Sequence, residues 1–178
     1  MVPSSQTEGI IVTDSTIDPQ IDAEAQRQIE LLQRGTTQLV SEAELKSRIV
    51  KSLQDDRPLR IKLGVDPTAH ELHLGFTLPL SKLRLFQDLG HKAVLIVGDA
   101  TAMVGDPSGK SKLRPVLTRE QVAQNLLTYT TQASLVLDLE RTEIVQNASW
   151  FDGMGFEGIL QLTTRMTVAQ MIERDTFQ

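Results

Sequence analysis

Two short stretches hold the residues whose types and spacing could do chemistry. The first reads Asp66-Pro67-Thr68-Ala69-His70-Glu71-Leu72-His73-Leu74-Gly75-Phe76, and it links a short apolar segment to a long amphipathic one. A loop that leaves a buried strand and enters a helix is where open α/β sheets bind their ligands. The N-terminus of such a helix offers unpaired N–H groups and the positive end of its dipole to a phosphate. Thr68 and His73 can donate hydrogen bonds to phosphate oxygens and to charge developing on them during a reaction. Gly75, in the first turn, lets a nucleotide ring or sugar approach the backbone. The same letters also make a plain strand–turn–helix with a polar rim, and both readings stand at this point. His70 and His73 have the spacing of a metal-ligand pair. With no cysteine and only His91 besides, no protein metal site is expected.

The second stretch is Gly98-Asp99-Ala100-Thr101-Ala102-Met103-Val104-Gly105-Asp106-Pro107-Ser108-Gly109-Lys110-Ser111. Its tail imitates a Walker A motif, but the required earlier glycine is Val104, and Pro115 interrupts the helix that should follow. A P-loop is therefore rejected. Thr101 and Asp106 would sit at the mouth of a buried strand, beside the first loop if the two strands are neighbours. A hydroxyl and a carboxylate there suit a substrate ammonium group, although 106–109 has the composition of a simple turn. Lys110, Lys112, Arg114 and Arg119 form the one basic cluster. It reads either as solvated surface or as a contact for a polyphosphate or an RNA end.

The elements that must position these residues follow from periodicity and caps. Ile21, Ala25, Ile29 and Leu32 recur at helical spacing before Gly35. Ser41 with Glu44 is a capping-box pair, opening a helix with Leu45, Ile49 and Leu53 on one face. It must stop near Asp56, because Pro58 disfavours helix at the residue before it. A strand over 61–65 precedes the first loop. A helix over 74–89 follows, with Leu83, Phe86 and Leu89 inward, Pro79 early in it and Gly90 as its stop. The continuous apolar run 93–97 reads as a strand buried on both faces. A loop is expected over 98–115, then a helix capped by Thr118 and Gln121 and reaching about Leu137. A strand over 142–146 and mainly helix from Ser149 complete the pattern. Alternating strands and helices indicate an α/β fold with a parallel sheet flanked by helices. The expected organisation is a flexible leader over 1–17, N-terminal helices over 18–57, and an α/β domain over 58–178. Its last helix is still running where the sequence stops.

Composition bounds the function. The chain has 178 residues, 40% hydrophobic and 23% charged, which is globular composition. No apolar run approaches the ~20 residues of a membrane span, and no secretory signal is visible, so a cytoplasmic protein without a membrane partner is expected. The absence of cysteine excludes a disulfide framework, thiolate catalysis and cysteine-ligated zinc. A net charge of -5 excludes a surface basic all over, though not a local basic patch.

The two loops together resemble the bacterial tyrosyl branch of the class I aminoacyl-tRNA synthetases. The resemblance rests on 59–68, 72–75, 82–84, 86–91, 98–99, 105–111, 117–122 and 167–175, and it covers about 38–177. It implies a Rossmann-like domain, here its first part, that activates tyrosine with ATP and transfers it to the 3′ end of tRNA-Tyr. Thr68 and His73 would be catalytic, holding the β,γ-phosphates most strongly in the transition state. Asp66, Pro67, Gly75 and Phe76 would complete the ATP side. Gly64, Asp66, Thr101 and Asp106 would receive tyrosine, the last two its α-ammonium. Mg²⁺ would arrive with ATP, and the family implies a homodimer.

Three departures from the family pattern matter. Phe76 stands where the signature usually has a second histidine, and losing that donor should cost about 1–3 kcal/mol of transition-state stabilisation. Lys62 occupies a position where many members carry a tyrosine that meets the substrate phenol. The sequence also stops before the Lys-Met-Ser-Lys-Ser loop and the anticodon-binding domain, so this segment alone is expected to have little activity. The alternatives are a small nucleotidyltransferase using the His-x-Gly element on ATP, or a non-catalytic half-domain that binds a nucleotide or partner.

Overall fold

The computed structural model describes residues 17–69, 71–104 and 117–173. The expected leader, His70, Asp106, the rest of 105–111, Lys110, Lys112, Arg114 and the chain end at Asp175 lie outside the described residues.

The chain divides into two compact units, one up to Arg57 and one from Pro58. In the first, helix α1 (Pro19–Gln33) packs on helix α2 (Glu42–Gln54). Asp18 caps α1 by accepting the Gln20 N–H at 2.8 Å, and Ala25, Ile29 and Leu32 are its buried stripe. The Ser41 hydroxyl accepts the Glu44 N–H at 3.1 Å to start α2, which buries Ile49. Gly35 and Asp56 adopt positive φ just past the two helix ends, where a left-handed residue turns the chain away from the helix. Lys46 pairs with Asp22 at 2.9 Å between the helices.

The second unit is built on three parallel strands in the order β1 (Arg60–Val65), β2 (Lys92–Val97), β3 (Thr142–Gln146). Helix α3 (Thr77–Asp88) connects the first two, and α4 (Asp99–Val104) and α5 (Arg119–Ala133) lie between the second and third. Short helices α6 (Ala148–Phe151), α7 (Phe156–Thr163) and α8 (Val168–Ile172) follow. On one face of the sheet, Val65, Ala93, Leu95 and Val97 pack against Leu80 and Leu83 of α3 and Tyr129 and Ala133 of α5. Gln87 is a fully buried amide whose groups are all used. Its nitrogen donates to the Asp138 carbonyl and the Thr142 hydroxyl, each at 3.0 Å, and its oxygen accepts the Asp138 N–H at 3.2 Å.

Three boundaries and one buried face differ from the sequence reading. The helix expected from Leu74 begins instead as a 3-10 turn over Leu74–Phe76, and regular α-helix starts at Thr77. Pro79 then falls in the first turn, where its missing N–H costs nothing. Leu83 is buried as expected, whereas Phe86 and Leu89 are half-buried and Leu80 and Gln87 take the inner positions. The 98–115 loop is helical over Asp99–Val104. The α5 helix stops at Ala133, and Leu137 enters the core from the turns that follow.

Candidate functional site

The parallel register sets Val65, Val97 and Gln146 level with one another. The ladder runs one step further, with the Gly98 N–H on the Val65 carbonyl at 2.8 Å and the Asn147 N–H on the Val97 carbonyl at 3.0 Å. Asp66, Gly98 and Asn147 therefore leave the carboxyl edge of the sheet side by side, the position at which α/β sheets bind ligands. A cleft of about 560 Å³ opens there, lined by Gly64, Asp66, Thr68, His73, Phe76 and Tyr129 among others.

At its first end, the Thr101 hydroxyl donates to Asp66 Oδ1 at 2.8 Å and has the Gly98 carbonyl at 3.2 Å. Asn147 Nδ2 donates to the same hydroxyl oxygen at 3.2 Å, while Asn147 Oδ1 accepts the Ala100 N–H at 2.9 Å. The single hydroxyl proton of Thr101 thus has two acceptors, of which the charged Asp66 Oδ1 is the nearer. Asp99 Oδ1 accepts the Ala148 N–H at 2.8 Å, tying α4 to the end of β3. Gly98 has no room for a side chain. A Cβ there would lie 1.7 Å from Asp66 Oδ1 and 2.4 Å from Thr101 Oγ1. A Cβ on Gly64 would meet nothing within 4 Å.

At the other end, His73 caps the 3-10 turn, its Nδ1 accepting the Gly75 N–H at 3.1 Å. In the neutral imidazole this places the proton on Nε2, so the exposed edge of the ring is a donor. His73 itself thus takes one of the N–H donors at the start of this turn. The glycine is likewise explained from within. A Cβ at position 75 would come 2.9 Å from the His73 ring, so Gly75 makes room for the imidazole beside it.

The loop between is held from α5, whose Thr118–Gln121 capping box is complete. Asn125 donates to the Pro67 carbonyl at 2.9 Å, and Gln132 accepts the Leu72 N–H at 2.7 Å. Tyr129 lies between these two residues on the helix and is 2% exposed. Burial pushes its phenol above the ordinary value, the Asp66 charge acts the same way, and a backbone contact at Ala69 opposes both. These residues were not singled out in the sequence. Their signal is a polar and aromatic stripe at i, i+4 and i+7 on one helix.

Of the residues expected to act, Asp66, Thr68, His73, Phe76 and Gly64 line the cleft, and Thr101 is bonded to Asp66. Pro67 is buried beneath the loop, and Lys62 lines a separate hollow of about 410 Å³ with Trp150. Arg119 pairs with Asp152 at 3.3 Å. Among the described residues no group of three or more His, Asp or Glu could hold a metal ion, and no helix is long and apolar enough to cross a membrane.

A carboxylate–hydroxyl pair for a cation at one end, and imidazole and hydroxyl donors for an anion at the other, fit a cleft that binds a zwitterion and a polyphosphate together. Residues 54–178 match the family of class I tRNA synthetases for W and Y, and the chain belongs to that family. Within it, the chain is similar to tyrosine–tRNA ligases. It is 51% identical to that of Aromatoleum aromaticum over 154 residues, 86% of this chain and 38% of the relative. It is 47% identical to that of Burkholderia pseudomallei over 167 residues, 93% of this chain and 40% of the relative. The chain thus spans about two fifths of the length of these curated relatives. In fold it resembles the tyrosyl-tRNA synthetase from Aeropyrum pernix, with a TM-score of 0.64 at 15% identity over 82% of this chain and 42% of that one. The Archaeoglobus fulgidus tyrosyl-tRNA synthetase, solved with L-tyrosine, gives 0.61 at 21% identity over 81% of this chain and 41% of that one. Membership in this family replaces the nucleotidyltransferase alternative.

Proposed function

We propose that the cleft activates tyrosine with ATP as part of a tyrosine–tRNA ligase. The substrate carboxylate oxygen attacks the α-phosphorus, the bond to the β-phosphate bridging oxygen breaks, and pyrophosphate leaves with that electron pair. Asp66, its carboxylate oriented by Thr101, receives the α-ammonium together with Asp106. Gly64 leaves the floor open for the adenylate. Thr68 and the Nε2–H of His73 donate to the β,γ-phosphates as charge builds on the leaving pyrophosphate, while Pro67, Gly75 and Phe76 shape the ATP side. Mg²⁺ accompanies the ATP. No residue has to act as nucleophile or base, so positioning and electrostatics supply the rate. Tyrosine is then passed to tRNA-Tyr, by a protein that is cytoplasmic and homodimeric.

The observation that carries this reading is the pairing of Thr101 with Asp66 at 2.8 Å in the cleft whose other wall presents His73. The test is His73→Ala in the full-length ligase. Tyrosine-dependent ATP–pyrophosphate exchange should fall about 100-fold, the usual cost of one transition-state donor. Thermal stability should fall by no more than about 1 kcal/mol, the cost of one exposed cap hydrogen bond. An equal loss of stability and exchange would make His73 structural and overturn the reading.

A further inference from the structure

His73 is exposed, and its one hydrogen bond among the described residues, from the Gly75 N–H, fixes the neutral tautomer but not the plane of the ring. A second contact supplies that constraint. The Phe76 ring lies 4.7 Å from the imidazole, centroid to centroid, tilted by 47°. Tyr129 lies behind it at 6.4 Å and 57°. Both spacings fall within the range of favourable aromatic pairs. Tyr129 belongs to the buried core cluster, and Phe76, half-buried, packs against that cluster. The same phenyl ring also lines the cleft. A continuous line of rings therefore runs from the rigid core through Phe76 to an exposed imidazole. A phenyl ring carries no hydrogen-bonding group, so it cannot itself hold a phosphate.

We infer that Phe76 is a positioning residue for His73. Its ring backs the imidazole so that the Nε2–H projects into the cleft rather than swinging into solvent. The inference rests on the cleft's reading as the tyrosine-activating site, and it deepens that reading by giving the phenylalanine a part played through its neighbour. Preorganising a donor lowers the reorganisation required as charge develops, so the effect belongs in kcat and not in tyrosine binding.

The test pairs Phe76→Leu, which removes the ring but keeps apolar bulk, with Phe76→Tyr, which keeps the ring. In long-range ¹H–¹⁵N spectra of the full chain, His73 (assigned by loss of its signals in His73→Ala) should show one Nε2–H tautomer and ring-current-shifted protons. Phe76→Leu should keep that tautomer, which the Gly75 N–H fixes, but average the His73 side-chain couplings over more than one rotamer, and Phe76→Tyr should restore the parent pattern. In the full-length ligase, Phe76→Leu should lower kcat for pyrophosphate exchange about 3- to 10-fold, with the KM for tyrosine unchanged. In a His73→Ala background it should have no further effect. The inference is overturned if Phe76→Leu leaves the His73 side chain in a single rotamer, or if its loss multiplies with that of His73→Ala. Should His73→Ala leave exchange untouched, the reading of the cleft fails instead, and the spectra alone decide whether Phe76 holds the ring.

Discussion

Replacing Gly98 by alanine should disable the cleft while leaving the fold standing. The added Cβ would sit 1.7 Å from Asp66 Oδ1 and 2.4 Å from Thr101 Oγ1, far inside van der Waals contact. Gly98 is not in the left-handed region, so the cost is steric and falls on these two side chains. Both are exposed and can rotate away without opening the core. What is lost is their mutual hydrogen bond and the aim of the carboxylate. A hydrogen bond to a charged group is worth about 1.5–3 kcal/mol, and the exposure of this pair favours the lower end. A loss of about 1–2 kcal/mol corresponds to about 5- to 30-fold in kcat/KM. The assay is pyrophosphate exchange in the full-length ligase across a range of tyrosine concentrations, beside a urea titration. Exchange should weaken mainly through the KM for tyrosine, with unfolding free energy changed by less than about 1 kcal/mol. Parent-like KM and kcat would show that the Asp66–Thr101 pair does not receive the substrate. A collapse of stability would show that the glycine serves the fold.

Two further outcomes follow from the same geometry. Asn125→Ala should cost about 1–3 kcal/mol in unfolding free energy, because it leaves the buried Pro67 carbonyl without that donor; a neutral result in chemical denaturation would remove α5 from the support of the loop. His91, buried with its Nδ1 facing the Leu59 N–H at 3.4 Å, has its pKa pushed down by burial from the ordinary value of 6.5. The unfolded chain therefore binds this proton more readily than the folded one, so stability should be fully present above pH 6.5 and fall as pH drops below it. His91→Gln should flatten that part of a melting-temperature profile, and an unchanged slope would assign it to other groups.

Much of the scaffold was legible because local signals and tertiary needs agreed. Ser41 and Thr118 cap the helices they were expected to open, and the strands over 61–65, 93–97 and 142–146 each match to within a residue. The α4 helix was hidden because part of what holds its first turn in place comes from afar. Asp99 bonds the Ala148 N–H and Asn147 bonds the Ala100 N–H, across more than 40 residues of sequence. The support given by α5 was hidden for a related reason. Asn125 and Gln132 break an apolar pattern and look like surface until the loop they hold is folded against them. Gly75 read as room for a nucleotide to approach the backbone, and the structure adds that a Cβ there would also crowd the His73 ring. Phe76 read as a missing hydrogen bond, whereas its ring contacts appear only in three dimensions.

The most direct measurement is titration of the full chain with a non-hydrolysable tyrosyl-adenylate analogue, followed by amide chemical shifts. The account predicts binding, with the largest shifts at Gly64, Asp66, Thr68, Gly98 and Thr101, and its loss on Gly64→Val, which puts a branched side chain on the strand end that lines the cleft. Shifts confined elsewhere, or binding unaffected by Gly64→Val, would contradict it.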